Sequence, residues 1–153
     1  MMKIIDGGVT AAEGFQAAGL AAGIKKGNTK DMALVYSEKP CVAAGTFTTN
    51  VVKAAPVKWD QHIVYDAPTA QAIVCNSGVA NACTGEEGYG YCKETAKIAA
   101  ESLQIPEDSV LVASTGVIGK QLPMDLLGAG IKNLVPLLSH TREAGKLAAQ
   151  SIM

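Results

Sequence analysis

The chain has 153 residues, of which 48% are hydrophobic and 18% charged, and its formal net charge is −1. This length suits one domain with a real core, so we expect residues 1–153 to form a single domain. No arginine-rich stripe predicts nucleic-acid binding, and no apolar run reaches the ~20 residues of a membrane-spanning helix. The N-terminus lacks the apolar region of a secretory signal, which favours a cytoplasmic protein.

The cysteine and histidine pattern predicts neither disulfides nor a metal site. Four cysteines lie at irregular intervals and form no Cys-x-x-Cys pair: Cys41, Cys75, Cys83 and Cys92. We expect them to be free thiols in a reducing compartment. The two histidines, His62 and His140, are far apart and have no neighbouring ligand residues, so we expect solvated surface side chains rather than metal ligands or general bases.

The first third of the chain predicts irregular structure and strands. Residues 7–25 hold a glycine every four to six positions, which disfavours a helix and predicts short strand pieces packed closely against another element. A polar turn follows at 25–31. Two strands at 32–37 and 41–48, joined by a turn at 38–40, predict a β-hairpin.

Strands and helices then alternate in short blocks. Strands are predicted at 70–75 and 109–113, and helices at 54–63, 86–103, 123–138 and 141–152. Thr84 and Glu87 have the spacing of a capping box at the start of the second helix. The last helical pattern still runs at Met153, as if the chain were cut within an element. This mixture predicts an α/β fold, specifically an α+β layered sandwich.

Small polar residues follow three predicted strands, at 46–50, 76–78 and 114–116. Loops at strand ends collect ligand contacts in layered α/β proteins, although Ser, Thr, Asn and Gly are also the ordinary residues of turns. The stretch Ser114-Thr115-Gly116 favours a function. The hydroxyl of Thr115 and the backbone N–H of Gly116 can donate together to one developing oxyanion, and glycine allows a close approach.

Four motifs in order along the whole chain resemble the ornithine acetyltransferase family, also called the bifunctional glutamate N-acetyltransferases of arginine biosynthesis. They are G-V-T-A-A-E-G-F-Q-A-A-G-L-A-A-G-I-K (8–25), G-T-F-T-T-N-V-V-K-A-A-P-V (45–57), N-S-G-V-A-N-A-C-T-G (76–85) and S-T-G-V-I-G (114–119). No single motif is specific, but the four together are.

The resemblance implies an architecture like that of the self-processing N-terminal-nucleophile proteins, and a precursor that cuts itself before a threonine. That threonine becomes the nucleophile of a separate β chain, so this chain corresponds to the α portion. The acetyl group passes from N-acetylornithine to the threonine and then to glutamate. Acetyl-CoA is the donor in some members, and no cofactor is required. The implied assembly is (αβ)2 or larger, and the implied oxyanion hole is Thr115 with Gly116.

Two departures from the family pattern stand out. Val79 replaces the middle Asn of the family's N-S-G-N-A-N-A-C-T-G motif, so one polar contact of that loop is in question. The sequence given ends at Met153, before the T-T-D-T segment and the self-cleavage site of the family. We therefore expect the nucleophile to lie outside these 153 residues.

Two alternatives belong to other functional classes. A self-processing amidase or aminopeptidase could use the same layered architecture and the same oxyanion donors. A truncated, non-catalytic fragment would only fold or bind, and would self-associate through an uncovered apolar face.

Overall fold

A computed structural model of the protein describes residues 4–5, 7–67 and 69–153. Its centre is a mixed sheet of four strands in the order β1-β2-β3-β4. The first two pairings are antiparallel and the β3–β4 pairing is parallel. The strands are β1 (Phe15–Leu20), β2 (Met32–Cys41), β3 (Ala70–Asn76) and β4 (Val110–Ser114).

Helices cover both faces of this sheet, unequally. Three of them pack on one face, where the main core lies, and α4 packs against β1 and β2 on the other. The helices are α1 (Ala55–Asp66), α2 (Gly85–Leu103), α3 (Met124–Leu134) and α4 (Arg142–Ser151). Short 3-10 turns lie at Val9–Ala11, Glu107–Ser109 and Val135–Leu137. The predicted α/β layered fold is confirmed.

The main core is aliphatic, as the low aromatic content requires. Leu34, Val74 and Val112 are register partners on three neighbouring strands, and all three are buried. Because side chains alternate along a strand, this row faces the helices together. From the helix side, Ile63 of α1 and Ile131 of α3 complete the layer.

The small residues near the N-terminus serve close packing, as predicted. A Cβ at Gly19 of β1 would lie 2.3 Å from the carbonyl oxygen of Leu147. The backbone of α4 therefore rests directly on β1, with no room for a side chain between them. None of the helices within the described residues has the length and apolar character needed to cross a membrane.

The predicted hairpin of 32–37 and 41–48 is wrong. Strand β2 continues through 38–40 to Cys41, which pairs with Ala70 after a register shift that begins beyond Tyr36. Pro40 lies in this irregular part, where the strand pairing does not require a hydrogen bond from a backbone N–H. Residues 42–48 form no strand, and Val42 is 89% exposed. The antiparallel partners of β2 are β1, which precedes it, and β3, which follows α1.

Helix boundaries differ from the predictions by up to four residues. Helix α3 ends at Leu134 and a 3-10 turn follows, where a helix to 138 was predicted, and α1 continues to Asp66 rather than ending at 63. Helix α2 forms, but the Thr84 side chain makes no capping bond and instead donates to the Oδ1 atom of Asn81 at 2.7 Å, so the capping box is wrong. Helix α4 begins as predicted, with Thr141 accepting a bond from the Ala144 N–H. It ends at Ser151 rather than running through Met153.

Helix α1 covers the first half of the outer edge of β4. The indole Nε1 of Trp59 donates to the carbonyl oxygen of Val110 at 2.9 Å, and the backbone N–H of Val112 donates to the carboxylate of Asp60 at 2.9 Å. Burial raises the pKa of Asp60 from 3.8 to about 6, while the bond from Val112 acts in the opposite direction. The helix therefore satisfies main-chain groups that an edge strand would otherwise expose.

Replacing Asp60 by Asn should make stability less dependent on pH. The folded protein holds the Asp60 proton more tightly than the unfolded chain does, so wild type loses stability as pH rises from 3.8 through about 6. The melting temperature of Asp60→Asn relative to wild type should rise across this interval and then level off. The exposed Asp108→Asn removes the same charge from the surface and is the control. A flat difference for Asp60→Asn would contradict the prediction.

Candidate active site

The parallel strands β3 and β4 end side by side, with Asn76 opposite Ser114. The chain continues this pairing beyond both strands, because Val79 and Val117 form a further parallel bridge. We call residues 77–82 and 115–119 the paired loops. Four main-chain bonds join them to each other or to the end of β3: Thr115 N to Asn76 O (3.0 Å), Val117 N to Gly78 O (3.2 Å), Ala80 N to Val117 O (2.9 Å) and Gly119 N to Ala82 O (2.8 Å).

The absence of a side chain at Gly116 allows the paired loops to lie this close. A Cβ at Gly116 would lie 2.4 Å from the carbonyl carbon of Gly78 and 2.5 Å from its oxygen. The φ angle of Gly116 is +132°, a region that residues with a side chain rarely adopt. The sequence predicts a close approach of a ligand to Gly116. The structure shows a close approach of the Gly78 backbone to Gly116.

The predicted donors Thr115 and Gly116 lie together at the outer corner of the sheet. The N–H groups of Thr115 and Val117 point to the neighbouring loop, so alternation along the strand directs the Gly116 N–H outward. Among the described residues, neither this N–H nor the Thr115 hydroxyl has a hydrogen-bond partner. Both residues are exposed. Two donors on a rigid strand end are thus free to meet an acceptor from outside.

Asn76 ties this corner to the core. The hydroxyl of Ser114 donates to its Oδ1 at 2.6 Å, and its Nδ2 donates to the carbonyl oxygen of Val79 at 2.8 Å. Asn76 is only 3% exposed. The sequence placed this residue in a group of turn formers and gave no indication that its amide joins the two strands.

A third segment supports the paired loops from the side of β1 and β2. The buried carboxylate of Asp31 accepts bonds from the N–H groups of Ala22 (2.6 Å) and Lys25 (2.8 Å). Its carbonyl oxygen accepts from the N–H of Ser77 at 2.8 Å. These bonds hold the side chain of Lys25 against Gly78, where an added Cβ would lie 2.9 Å from the Lys25 Cγ. Lys25 also donates to the carbonyl of Met153.

The substitution at Val79 fits the fold. Its side chain is 4% exposed and packs in the main core, and only its main chain takes part in the paired loops. An apolar side chain at this position therefore packs among other apolar side chains. The hydrogen bonds of the paired loops do not involve the Val79 side chain.

The other candidate residues make local or surface contacts. In the 46–50 stretch, the Asn50 N–H donates to the Thr48 hydroxyl, and the Asn50 side-chain oxygen accepts from the Val52 N–H. Both bonds are local, as in an ordinary turn. His62 pairs with Asp66 at 2.6 Å on α1, and His140 pairs with Glu38 at 3.0 Å; both histidine side chains are more than half exposed. The structure does not bring these residues into the paired loops.

The thiols of Cys75 and Cys92 are not activated nucleophiles. All four cysteines are free. Burial, reinforced by the negative charge of Asp60, raises the pKa of Cys75 to about 11 and that of Cys92 to about 12. Both stay protonated near neutral pH, and the thiol form is a poor nucleophile and metal ligand. Within the described residues, no cluster of three or more His, Cys, Asp or Glu could hold a metal ion.

The arrangement can therefore stabilise negative charge on an oxygen, but it contains no paired nucleophile and base. An acyl-transfer site needs oxyanion donors and a nucleophile that generates the oxyanion. This arrangement offers groups of the first kind only. The exposed apolar side chains of Val117 and Ile118, 62% and 63% exposed, lie beside the donors and extend the surface available to such a nucleophile.

Known sequences of one family match this chain over nearly its whole length. A profile of the ArgJ family matches residues 16–153. The protein named arginine biosynthesis bifunctional protein ArgJ from Gloeobacter violaceus is 48% identical over 149 residues, covering 97% of this chain and 36% of the relative. The protein of the same name from Caldanaerobacter subterraneus subsp. tengcongensis is 51% identical and covers 99% and 37%. The chain thus spans little more than a third of these relatives.

Two solved structures share the fold. The arginine biosynthesis bifunctional protein argJ from Bacillus halodurans superposes with a TM-score of 0.92 at 39% identity, over 99% of this chain and 78% of that one. The ornithine acetyltransferase from Mycobacterium tuberculosis, solved with ornithine, gives 0.93 at 44% identity, over 98% and 80%.

Substituting Gly116 should cost more stability than substituting Gly119. Both have positive φ, so alanine strains the backbone at either site by about 1–2 kcal/mol. Only at Gly116 would the new Cβ meet a backbone carbonyl, because nothing lies within 4 Å of that point at Gly119. Urea unfolding should show the larger loss for Gly116→Ala. Equal losses would mean that the loops can separate without cost.

Proposed function

Because the chain belongs to the ArgJ family, we propose that it is the oxyanion-binding part of an acetyltransferase that moves an acetyl group from N-acetylornithine to glutamate in arginine biosynthesis. The observation that carries this proposal is the pair of unpartnered donors, the Thr115 hydroxyl and the Gly116 N–H, at one corner of a rigid sheet. The resemblance implies that acetyl-CoA can replace N-acetylornithine as the donor, and we propose that this site accommodates either acetyl carbonyl.

The chemistry proceeds through two tetrahedral intermediates. A threonine hydroxyl from outside this chain attacks the acetyl carbonyl carbon of N-acetylornithine, and the carbonyl electron pair moves onto oxygen. Thr115 and Gly116 donate to that oxyanion. Collapse of the intermediate breaks the C–N bond, and the departing ornithine amine takes up the proton that the hydroxyl lost. The glutamate amine then attacks the carbonyl carbon of the acetyl-threonine ester, and the same donors stabilise the second oxyanion. Collapse of this intermediate breaks the ester C–O bond, the threonine oxygen takes up the proton that the amine loses, and N-acetylglutamate leaves.

We propose that the nucleophile belongs to a β chain cut from the same precursor. The free thiols of the site are not activated, and its histidines lie elsewhere on the surface. The chain spans 36% of the Gloeobacter relative, which leaves most of that length to supply the missing group. An assembly of type (αβ)2 or larger, in the cytoplasm, follows from the resemblance and remains part of the proposal.

Removing the Thr115 hydroxyl should slow turnover without weakening substrate binding. Thr115→Val keeps the shape of the side chain but cannot donate, and loss of one oxyanion donor costs about 100-fold or more in kcat. KM should change little, because the lost bond acts mainly in the transition state. Thr115→Ser keeps the donor and should retain most of the activity. The measurement is steady-state acetyl transfer by the complete αβ protein; a wild-type rate for Thr115→Val would remove this residue from the mechanism.

Acceptor dependence separates the proposed transferase from an amidase. The complete protein should release ornithine rapidly only when glutamate is present, and the product should be N-acetylglutamate. Ornithine and free acetate released at equal rates with and without glutamate would instead indicate a hydrolase. The 153-residue chain alone should do neither, because it lacks the nucleophile, and turnover by this chain alone would show that the nucleophile lies within it.

A further inference from the structure

We infer that Asn76 is a positioning residue whose buried side-chain amide sets the geometry of the two oxyanion donors, an inference that rests on the proposed function. Asn76 is the last residue of β3 and contacts the donor segment on both sides. Its main-chain carbonyl accepts from the Thr115 N–H at 3.0 Å. Its Oδ1 accepts from the hydroxyl of Ser114, immediately before Thr115, at 2.6 Å.

The same amide also controls the far side of the donors. Its Nδ2 donates at 2.8 Å to the carbonyl oxygen of Val79, and Val79 bridges to Val117, immediately after Gly116. Asn76 therefore bonds directly to the residues before the donors, and through Val79 it holds the loop that pairs with Val117 after them. Because an oxyanion donor must be placed to a fraction of an ångström, a shift of this residue moves both donors together.

Only an amide, or a neutral acid, satisfies both sides of this arrangement. The Val79 carbonyl can only accept, so the atom facing it must be a donor, and this fixes Oδ1 towards Ser114. A carboxylate of the same shape offers two acceptors and would repel the Val79 oxygen. A protonated carboxyl restores the pattern, because it donates through its O–H and accepts through its carbonyl oxygen.

The chain contains a matched control in Asn81. This residue is 1% exposed, its Nδ2 donates to the carbonyl oxygen of Gly88 at 2.7 Å, and its Oδ1 accepts from the Thr84 hydroxyl at 2.7 Å. The bonding pattern is that of Asn76, but it holds the start of α2 and makes no bond to residues 114–117.

Two charged groups lie on the neighbouring segments: Asp31, which precedes the register partner of Asn76 and bonds Ser77, and Lys25 beside Gly78; both are present in every variant. The small cavity between Asn76 and α2 has the thiol of Cys92 in its wall, and on the far face of the sheet lies the thiol of Cys75. Asp60, bonded to the Val112 N–H, is the nearby carboxylate on α1. The thiols stay neutral up to pH 9, since burial raises the pKa of Cys92 to about 12 and that of Cys75 to about 11. Asp60 is present in every variant and in wild type.

The test compares Asn76→Asp with Asn81→Asp in the complete αβ protein. Acetyl transfer is measured per folded molecule between about pH 5 and pH 9, where a buried aspartate with a raised pKa changes charge. Near pH 9, where the new aspartate is charged, Asn76→Asp should lose up to about 100-fold in kcat, with KM nearly unchanged. Relative to wild type, the activity should recover as the pH falls. Asn81 also lies in the paired loops, but its side chain bonds only Gly88, Cys92 and Thr84. Asn81→Asp should therefore lose comparable stability, while the ratio of its kcat to that of wild type should stay constant with pH.

A milder pair of variants serves if the aspartate variants fail to fold. Ser114→Ala removes one bond to Asn76, and Thr84→Ala removes the equivalent bond to Asn81. We expect kcat to fall about ten-fold for Ser114→Ala, the loss expected for roughly 1.4 kcal/mol, and to stay near wild type for Thr84→Ala. Equal kcat within each pair would overturn the positioning role, even if Thr115→Val is slow. Absence of acetyl transfer by the wild-type protein would overturn the proposed function and this inference together.

Discussion

The parallel pairing of β3 and β4 beyond their last regular residues is the constraint on which the candidate site depends. Main-chain bonds continue from Asn76 and Ser114 to Ala82 and Gly119, so two loops behave as one short ribbon. A loop held in this way loses most of its conformational freedom on folding rather than on binding a ligand. The donors are thus ordered before any substrate arrives, which is the condition that electrostatic stabilisation of a transition state requires.

Much of the fold was predictable because its strongest patterns are local. Strands β3 and β4 and all four helices lie within a few residues of the positions that apolar periodicity indicated. The failure at 38–40 has a different origin. Glu38, Lys39 and Pro40 are typical turn residues, but pairing with β1 and with Ala70 keeps this segment extended, and such distant partners leave no trace in the local composition.

The site was only partly readable in the sequence. Thr115 and Gly116 stood out because a hydroxyl followed by a glycine at a strand end has a chemical interpretation, and the resemblance supplied a role for them. Asn76 and Asp31 did not stand out. Their importance comes from buried bonds to residues dozens of positions away or across a loop, and an isolated Asn or Asp in a sequence looks like a turn former. The role of a buried polar residue can be recognised only when its hydrogen-bond partners are known.

The way in which α1 covers β4 also bears on self-association. Trp59 and Asp60 already occupy the outward main-chain groups of Val110 and Val112. A second extended chain cannot add along this half of the edge, and the open remainder near Gly116 is too short to template a long intermolecular ladder. Strand addition is a common route from an exposed edge to fibrils, so the helix removes this route along the part of β4 that it covers.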